Sequence, residues 1–301
     1  MQPLPRRKDS LRLRLISAAV GIPVLLICIL LSPAFTLVLA AAATLLGLRE
    51  LFRLAGVKRL WLQRLPGFVL GLAFIAAGWS GQYGLLAVLA AASPFALLLA
   101  HRWTPQPWRP WLMVVAGPLY LGATLAHAVL LRNWDRGAEM HFYGRHSSLP
   151  LLDVPLLRLD QGSELLLLVV LSTFAVDTAA YFVGRRFGKH QLAPRISPAK
   201  TREGAVGGFI AGVAVSVALV SLFGLPLAIW KAVALGAALG VVGQAGDLLE
   251  SALKRAHQAK DAGALIPGHG GILDRLDSLV YNFVVVYHLY TWLVLAFSLA
   301  A

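Results

Sequence analysis

The chain has 301 residues, of which 58% are hydrophobic and only 14% charged, with a mean hydropathy of +0.72. Soluble domains carry about 25% charged residues, so an ordinary water-soluble globule is excluded and lipid is the solvent for most of the chain. The formal charge of +13 is spread between hydrophobic runs rather than gathered on one polar domain, which argues against nucleic acid and for a membrane surface as partner.

A helix needs roughly 20 apolar residues to cross about 30 Å of hydrocarbon, and helices satisfy their own backbone there. The first such run covers about 15–31. Its basic flank resembles a signal peptide, but no small-x-small site follows it, so it is expected to stay as an anchor. The single cysteine, Cys28, lies inside it and offers neither an intrachain disulfide nor a thiolate cluster. Ser32-Pro33 breaks the pattern before a second run at about 34–48. Runs at about 66–80 and 83–100 meet at Gly81, and a fifth spans about 112–131. Trp103, Trp108 and Trp111 before it read as an aromatic belt. Beyond a polar stretch at 132–163, runs follow at about 164–183, 205–223, 226–247 and 277–299. The expectation is an all-α, polytopic integral membrane protein with about nine transmembrane helices. It divides into amino-terminal helices (1–131), an extracytoplasmic loop (132–163) and a carboxy-terminal transmembrane domain (164–301) that holds the polar clusters.

Charge gives the orientation. With the amino terminus cytoplasmic and the carboxy terminus outside, only Arg132, Arg136, Arg145, Arg158 and Lys231 of the 27 lysines and arginines fall on outer segments. The other 22 lie on inner ones, as the positive-inside rule requires. The clusters at 184–203 and 249–275 then face the cytoplasm.

Asp135, Glu139, Asp153, Asp160 and Glu164 are explained as a solvated outer loop. Asp177 instead falls inside an apolar run, where a carboxylate costs about 2.5 to 3.5 kcal/mol. It shares a helix face with Thr173 and Tyr181 and is expected to touch a cation or a substrate. Asp247, Glu250, Ser251 and Lys254 form one polar stripe at the end of the next-to-last run. Asp274 and Asp277 stand at i and i+3 in the first turn of the last helix. Asp247, Asp274 and Asp277 together offer hard oxygen ligands suited to Mg²⁺, with room left for a second, monovalent cation. Gly270 and Gly271, next to Pro267, Gly268 and His269, supply a bare backbone able to cradle phosphate. The second basic loop carries Arg185, Arg186, Lys189, Arg195, Lys200 and Arg202, with Ser197 and Thr201 as neutral donors; it suits a polyanion such as a triphosphate.

SALKR (251–255), KDAG (260–263), PGHGG (267–271) and DRLD (274–277) resemble the signature of the phosphatidate cytidylyltransferases, the CDP-diacylglycerol synthases. DTAAY (177–181), GRRFGK (184–189) and SPAKTREG (197–204) look like the same family, with Ala199 where its pattern has a second lysine. The similarity covers about 165–301.

The resemblance implies a multi-pass enzyme of a bacterial-type cytoplasmic (inner) membrane, with its active site on the cytoplasmic side. It would join CTP to phosphatidic acid, with Mg²⁺ required, giving CDP-diacylglycerol and pyrophosphate. The lipid phosphate is already an oxyanion, so no side-chain nucleophile is needed. Direct attack on the α-phosphorus is expected, with Mg²⁺ on Asp247, Asp274 and Asp277. Lys254, Arg255 and Arg275 would hold anions, Lys200 and Arg202 the departing pyrophosphate, and His269, Gly270 and Gly271 a phosphate. Asp177, Ser197, Thr201, Ser251, Lys260 and Asp261 complete the expected nucleotide and phosphate contacts. Partners would be CTP, phosphatidic acid and membrane lipid, with a homodimer left open. The alternative from another class is a secondary transporter with an intramembrane carboxylate path. No pair of broken helices in the two halves favours it.

Overall fold

The computed structural model describes residues 7–57, 64–102, 108–134, 159–266, 268 and 270–298. Each apolar run lies on helix. The amino-terminal half holds α1 (Arg7–Leu30), α2 (Pro33–Leu54), α3 (Leu65–Trp79), α4 (Tyr83–Arg102), α5 (Trp108–Pro118) and α6 (Thr124–Arg132). The second half holds α7 (Gln161–Phe187), a hairpin of β1 (Gln191–Ala193) and β2 (Ser197–Thr201), α8 (Arg202–Phe223), α9 (Ile229–Ala256), α10 (Leu273–Leu276) and α11 (Leu279–Ser298).

Local chemistry sets the boundaries. Ser32 caps α2 by accepting from Ala34 N at 3.3 Å, with Pro33 at the first helical position, where its missing N–H costs nothing. Thr201 caps α8 through Gly204 N at 3.1 Å. Gly224 ends it in the left-handed region at φ +64°, which an L side chain resists. Pro118 cannot donate to the preceding turn, and the chain answers with one π turn, Leu119–Ala123, between α5 and α6.

Among the described residues, five helices are long and apolar enough to cross a membrane: Pro33–Leu54, Trp111–Arg132, Gln161–Phe187, Arg202–Phe223 and Ile229–Ala256. Ile16–Leu30, Leu65–Trp79 and Tyr83–Phe95 are shorter apolar helices. Large hydrophobic side chains cover the outside, among them Val20, Phe95, Phe182, Ile210 and Trp292. Water would penalise that surface and lipid does not; the chain is a multi-pass membrane protein.

Small residues bring the second-half helices together. A Cβ on Gly236 would stand 2.7 Å from Gly212 O, so α8 and α9 touch backbone to backbone. Buried polar pairs tie the bundle: Ser172 Oγ and Ser216 Oγ lie 3.1 Å apart, and Asn282 Nδ2 donates to Thr173 Oγ1 at 2.9 Å.

Four expectations change. The second basic loop is not loop throughout, since β1 and β2 pair antiparallel with Gln191 opposite Thr201 and Ala193 opposite Ser197. A five-residue strand is too short to register among runs of membrane length. Asp274 and Asp277 do not open the last helix. Asp274 lies in the separate turn α10, and Asp277 sits in the break before α11. Trp111 is buried, not belt-like, while Trp103 lies outside the described residues.

The fourth concerns the outer loop, of which residues 135–158, with Asp135, Glu139 and Asp153, lie outside the described residues. Glu164 is buried rather than solvated. Asp160 caps α7, accepting from Ser163 N at 2.9 Å, and pairs at 2.7 Å with Arg132, which is 3% exposed and also donates to Ile29 O at 2.9 Å. Burial alone would raise the Asp160 carboxyl; hydrogen bonds from Ser163 and Arg132 outweigh it and leave the group below the usual range. A lowered folded pKa stabilises above the unfolded value, about 3.9, and that contribution is lost as pH falls through the folded value. Melting in detergent from pH 7 to pH 3 should show wild type losing stability at the acid end. Asp160→Asn should start lower and lose less there.

Candidate active site

The hairpin lies beside α9. Lys200, near the end of β2, reaches Asp247 with Nζ to Oδ2 at 2.5 Å, and Ser251, one turn along α9, donates to Asp247 Oδ1 at 3.4 Å. Arg255 turns back to the hairpin, with Nε to Ile196 O at 3.4 Å, and also binds Ala259 O at 3.2 Å. Glu203 fastens the hairpin by accepting from Lys189 N at 3.1 Å and His190 Nδ1 at 2.6 Å.

About two turns beyond Asp247, Lys254 bridges two carboxylates: Glu250 Oε1 at 3.0 Å, on a residue only 2% exposed, and Asp274 Oδ1 at 2.7 Å. Asp274 Oδ2 accepts from Gly271 N at 2.8 Å and Ala262 N at 3.0 Å. Burial would raise the Asp274 carboxyl, but the Lys254 hydrogen bond, the Gly271 amide and the nearby positive charge hold it below its ordinary value. It is therefore a clasp on the 262–271 loop that favours the charged form. Asp277 is the opposite case. Burial first, and the Asp247 charge next, push it above the ordinary range despite a 2.8 Å hydrogen bond from Ser278 N.

Two cavities meet here. The larger, about 800 Å³, has apolar walls from α1, α2, α7 and α11, including Leu25, Ala43, Val170 and Phe283. It ends at Asp177, Asp247, Asp274, Arg275 and Asp277. The smaller, about 620 Å³, is lined by Tyr181, Arg185, Ser197, Lys200, Thr201 and Gln244. Asp177 and Asp247 line both cavities. An amphiphile fits the first, where four carboxylates beside Arg275 would accept an anionic head only together with a cation, and a polar anion fits the second beside Arg185 and Lys200.

The expected site residues thus divide. Asp177, Ser197, Lys200, Thr201, Asp247, Asp274, Arg275 and Asp277 line the two cavities, and Ser251 and Lys254 support them through Asp247 and Asp274. Arg202, Arg255, Lys260 and Asp261 are exposed and line neither cavity. The Gly271 amide is engaged by Asp274 and does not face a phosphate, and Gly270 turns at φ +86° with its carbonyl accepting from Ile266 N at 2.9 Å. His269 lies outside the described residues.

Among the described residues, no three acidic, histidine or cysteine side chains form a metal cluster by themselves. Mg²⁺ takes one or two carboxylates and completes its shell with water and phosphate. Asp247 and Asp277, close enough to raise Asp277 electrostatically, fit that demand. Both oxygens of Asp274 accept from Lys254 and the loop amides, and those of Asp247 meet Lys200 and Ser251, so either carboxylate would exchange a protein contact for the ion.

One residue escaped the sequence reading. Glu50, near the end of α2, is 5% exposed and accepts from Leu273 N through Oε2 at 3.0 Å. The available signal was its isolation, since no other acidic residue occurs from 10 to 134.

The model of the Cytidylyltransferase family matches residues 12–293. A phosphatidate cytidylyltransferase of Staphylococcus haemolyticus is 30% identical over 281 residues, covering 90% of this chain and 95% of that protein. Higher identities come from shorter alignments. A phosphatidate cytidylyltransferase of Staphylococcus saprophyticus is 43% identical over 122 residues, 40% of this chain and 47% of that protein. One of Brucella suis is 42% identical over 165 residues, 53% of this chain and 60% of that protein. The first two of these relatives in order of match, from S. saprophyticus and B. suis, are thus spanned over about half their length, and the third over nearly all of it. With the family model matched across almost the whole chain, and an apolar and a polar cavity meeting at shared carboxylates, the chain belongs to the Cytidylyltransferase family.

Proposed function

We propose that the chain transfers CMP from CTP to phosphatidic acid, giving CDP-diacylglycerol and pyrophosphate. The observation that carries this reading is the junction of an apolar and a polar cavity at Asp177 and Asp247. Phosphatidic acid lies in the larger cavity, its acyl chains against Leu25, Ala43 and Val170 and its phosphate at Arg275. The triphosphate of CTP lies in the smaller, against Lys200, Arg185, Ser197 and Thr201. A lipid phosphate oxygen attacks the α-phosphorus; the bond from that phosphorus to the oxygen bridging to the β-phosphorus breaks, and pyrophosphate leaves with that oxygen.

No proton has to be removed from the attacking phosphate, so the side chains supply position and charge. Lys254 keeps Asp274 and its loop in place, and Lys200 offers positive charge on the leaving side. Asp247 and Asp277 would hold Mg²⁺, whose chemistry when bound is to neutralise phosphate charge. A monovalent cation sharing this acidic junction belongs to the same proposal. So do nine crossings with a cytoplasmic amino terminus, an active site facing the cytoplasm of a bacterial inner membrane, and pairing into a homodimer. The distribution of lysine and arginine supports the orientation.

Purified protein in detergent with phosphatidic acid, Mg²⁺ and CTP labelled at the α-phosphate should place label in a chloroform-soluble product, with one pyrophosphate released per label. Transfer from the γ-position instead would mark a lipid kinase, and no incorporation at all would leave the transporter.

A further inference from the structure

Glu50 belongs to the amino-terminal half, yet its carboxylate sits among the backbone atoms of the loop that ends at Asp274. Oε2 accepts from Leu273 N at 3.0 Å, one residue before Asp274. Gly263 and Gly271, at the two ends of the same loop, lie so close that a Cβ on either would stand 2.6 Å or 2.7 Å from Glu50 Cδ. Two bare backbone positions thus enclose one buried carboxylate, and Ala262 and Gly271, their amides donating to Asp274, flank or share those positions. Glu50 and Asp274 hold the loop from opposite sides, one from α2 and one from α10, and Lys254 is fixed by Asp274 at 2.7 Å.

We propose that Glu50 is a positioning residue for the transfer reaction: a strut from the amino-terminal helices that sets the 262–273 loop and, through it, the Lys254–Asp274 pair. This rests on the function proposed above for the kinetic outcome only; the placing of the loop stands on contacts alone. The contact ties the amino-terminal half, which walls the larger cavity through α1 and α2, to a loop of the second half.

The test combines a readout independent of activity with turnover, on the full chain in detergent. Hydrogen–deuterium exchange in peptides covering 262–276 should quicken about tenfold or more in Glu50→Ala, as befits loss of a hydrogen bond to a charged acceptor, while α8 stays slow. Glu50→Gln keeps an acceptor for Leu273 N and should restore slow exchange. Turnover per folded molecule should fall by about tenfold or more in the alanine variant and recover largely in Gln, with KM for CTP little changed. Should Glu50→Ala fail to fold, Gly263→Ala, whose Cβ presses on the carboxylate, should give the same quickened loop and lowered turnover.

Unchanged loop exchange in Glu50→Ala, or in Gly263→Ala where that variant replaces it, overturns the strut. A quickened loop with full turnover per folded molecule also overturns the positioning role, leaving a merely structural contact. If the wild type forms no CDP-lipid, the proposed reaction fails, whereas a quickened loop in the variant still supports the strut.

Discussion

Lys254→Ala should lower kcat/KM for CDP-lipid formation by at least about a thousandfold and destabilise the protein as well. Lys254 is the cation shared by Glu250 and Asp274. Its removal leaves two carboxylates facing one another in a site where Glu250 is 2% exposed. Removing one partner from a buried pair costs about 3–5 kcal/mol, because the remaining charge has lost its water as well as its counterion. The catalytic loss has a separate origin. Asp274 would no longer be anchored from α9, and the loop that it clasps through Ala262 and Gly271 would move relative to the cavity ends. The two effects separate in the double variant Glu250→Gln with Lys254→Met. Thermal stability should return towards wild type while turnover stays near background. A Lys254→Ala enzyme with wild-type kcat/KM would remove this residue from the mechanism.

Asp247→Asn should lower kcat by roughly a hundredfold to a thousandfold, the range found when one preorganised electrostatic contact is removed from a transition state. Asp247 is, with Asp177, a side chain at which the two cavities meet, and it is paired with Lys200 at 2.5 Å. An amide keeps the shape and the hydrogen bond to Ser251 but drops the charge that pairs with Lys200 and that would hold a divalent ion. Activity measured against Mg²⁺ should show half-saturation moving to higher concentration. The fold should hold, since removing one of several mutually repelling acids relieves strain on Asp277, whose carboxyl Asp247 raises. Unaltered Mg²⁺ dependence with unaltered kcat would remove Asp247 from the ion's site.

Much of this architecture is visible in the residues themselves because membrane helices obey strong constraints. Nine apolar runs found by length each fall on helix among the described residues. The Lys254–Asp274 contact lies between two motifs read as one site, and Lys200 meets Asp247 across stretches that the same resemblance connects. The misses share one physical cause: they depend on contacts between segments far apart in the chain. Glu50 stands 223 residues from Leu273, and no periodicity or spacing links them. Arg132 and Asp160 looked like surface charges because each adjoins a polar stretch, yet they pair across 28 residues at the edge of the bundle.

In the reaction proposed above, the lipid substrate reaches the larger cavity, whose walls include the apolar helices α2 and α7, from the bilayer, while the nucleotide comes from solution. A reactant delivered in two dimensions is metered by its mole fraction among neighbouring lipids, and buffer volume drops out. An enzyme with that proposed activity should respond to the composition of the leaflet around it: diluting phosphatidic acid with inert phospholipid should starve it even when the total amount is unchanged. Supply of the activated lipid becomes proportional to the crowding of its precursor in the plane of the membrane, with no separate sensor required.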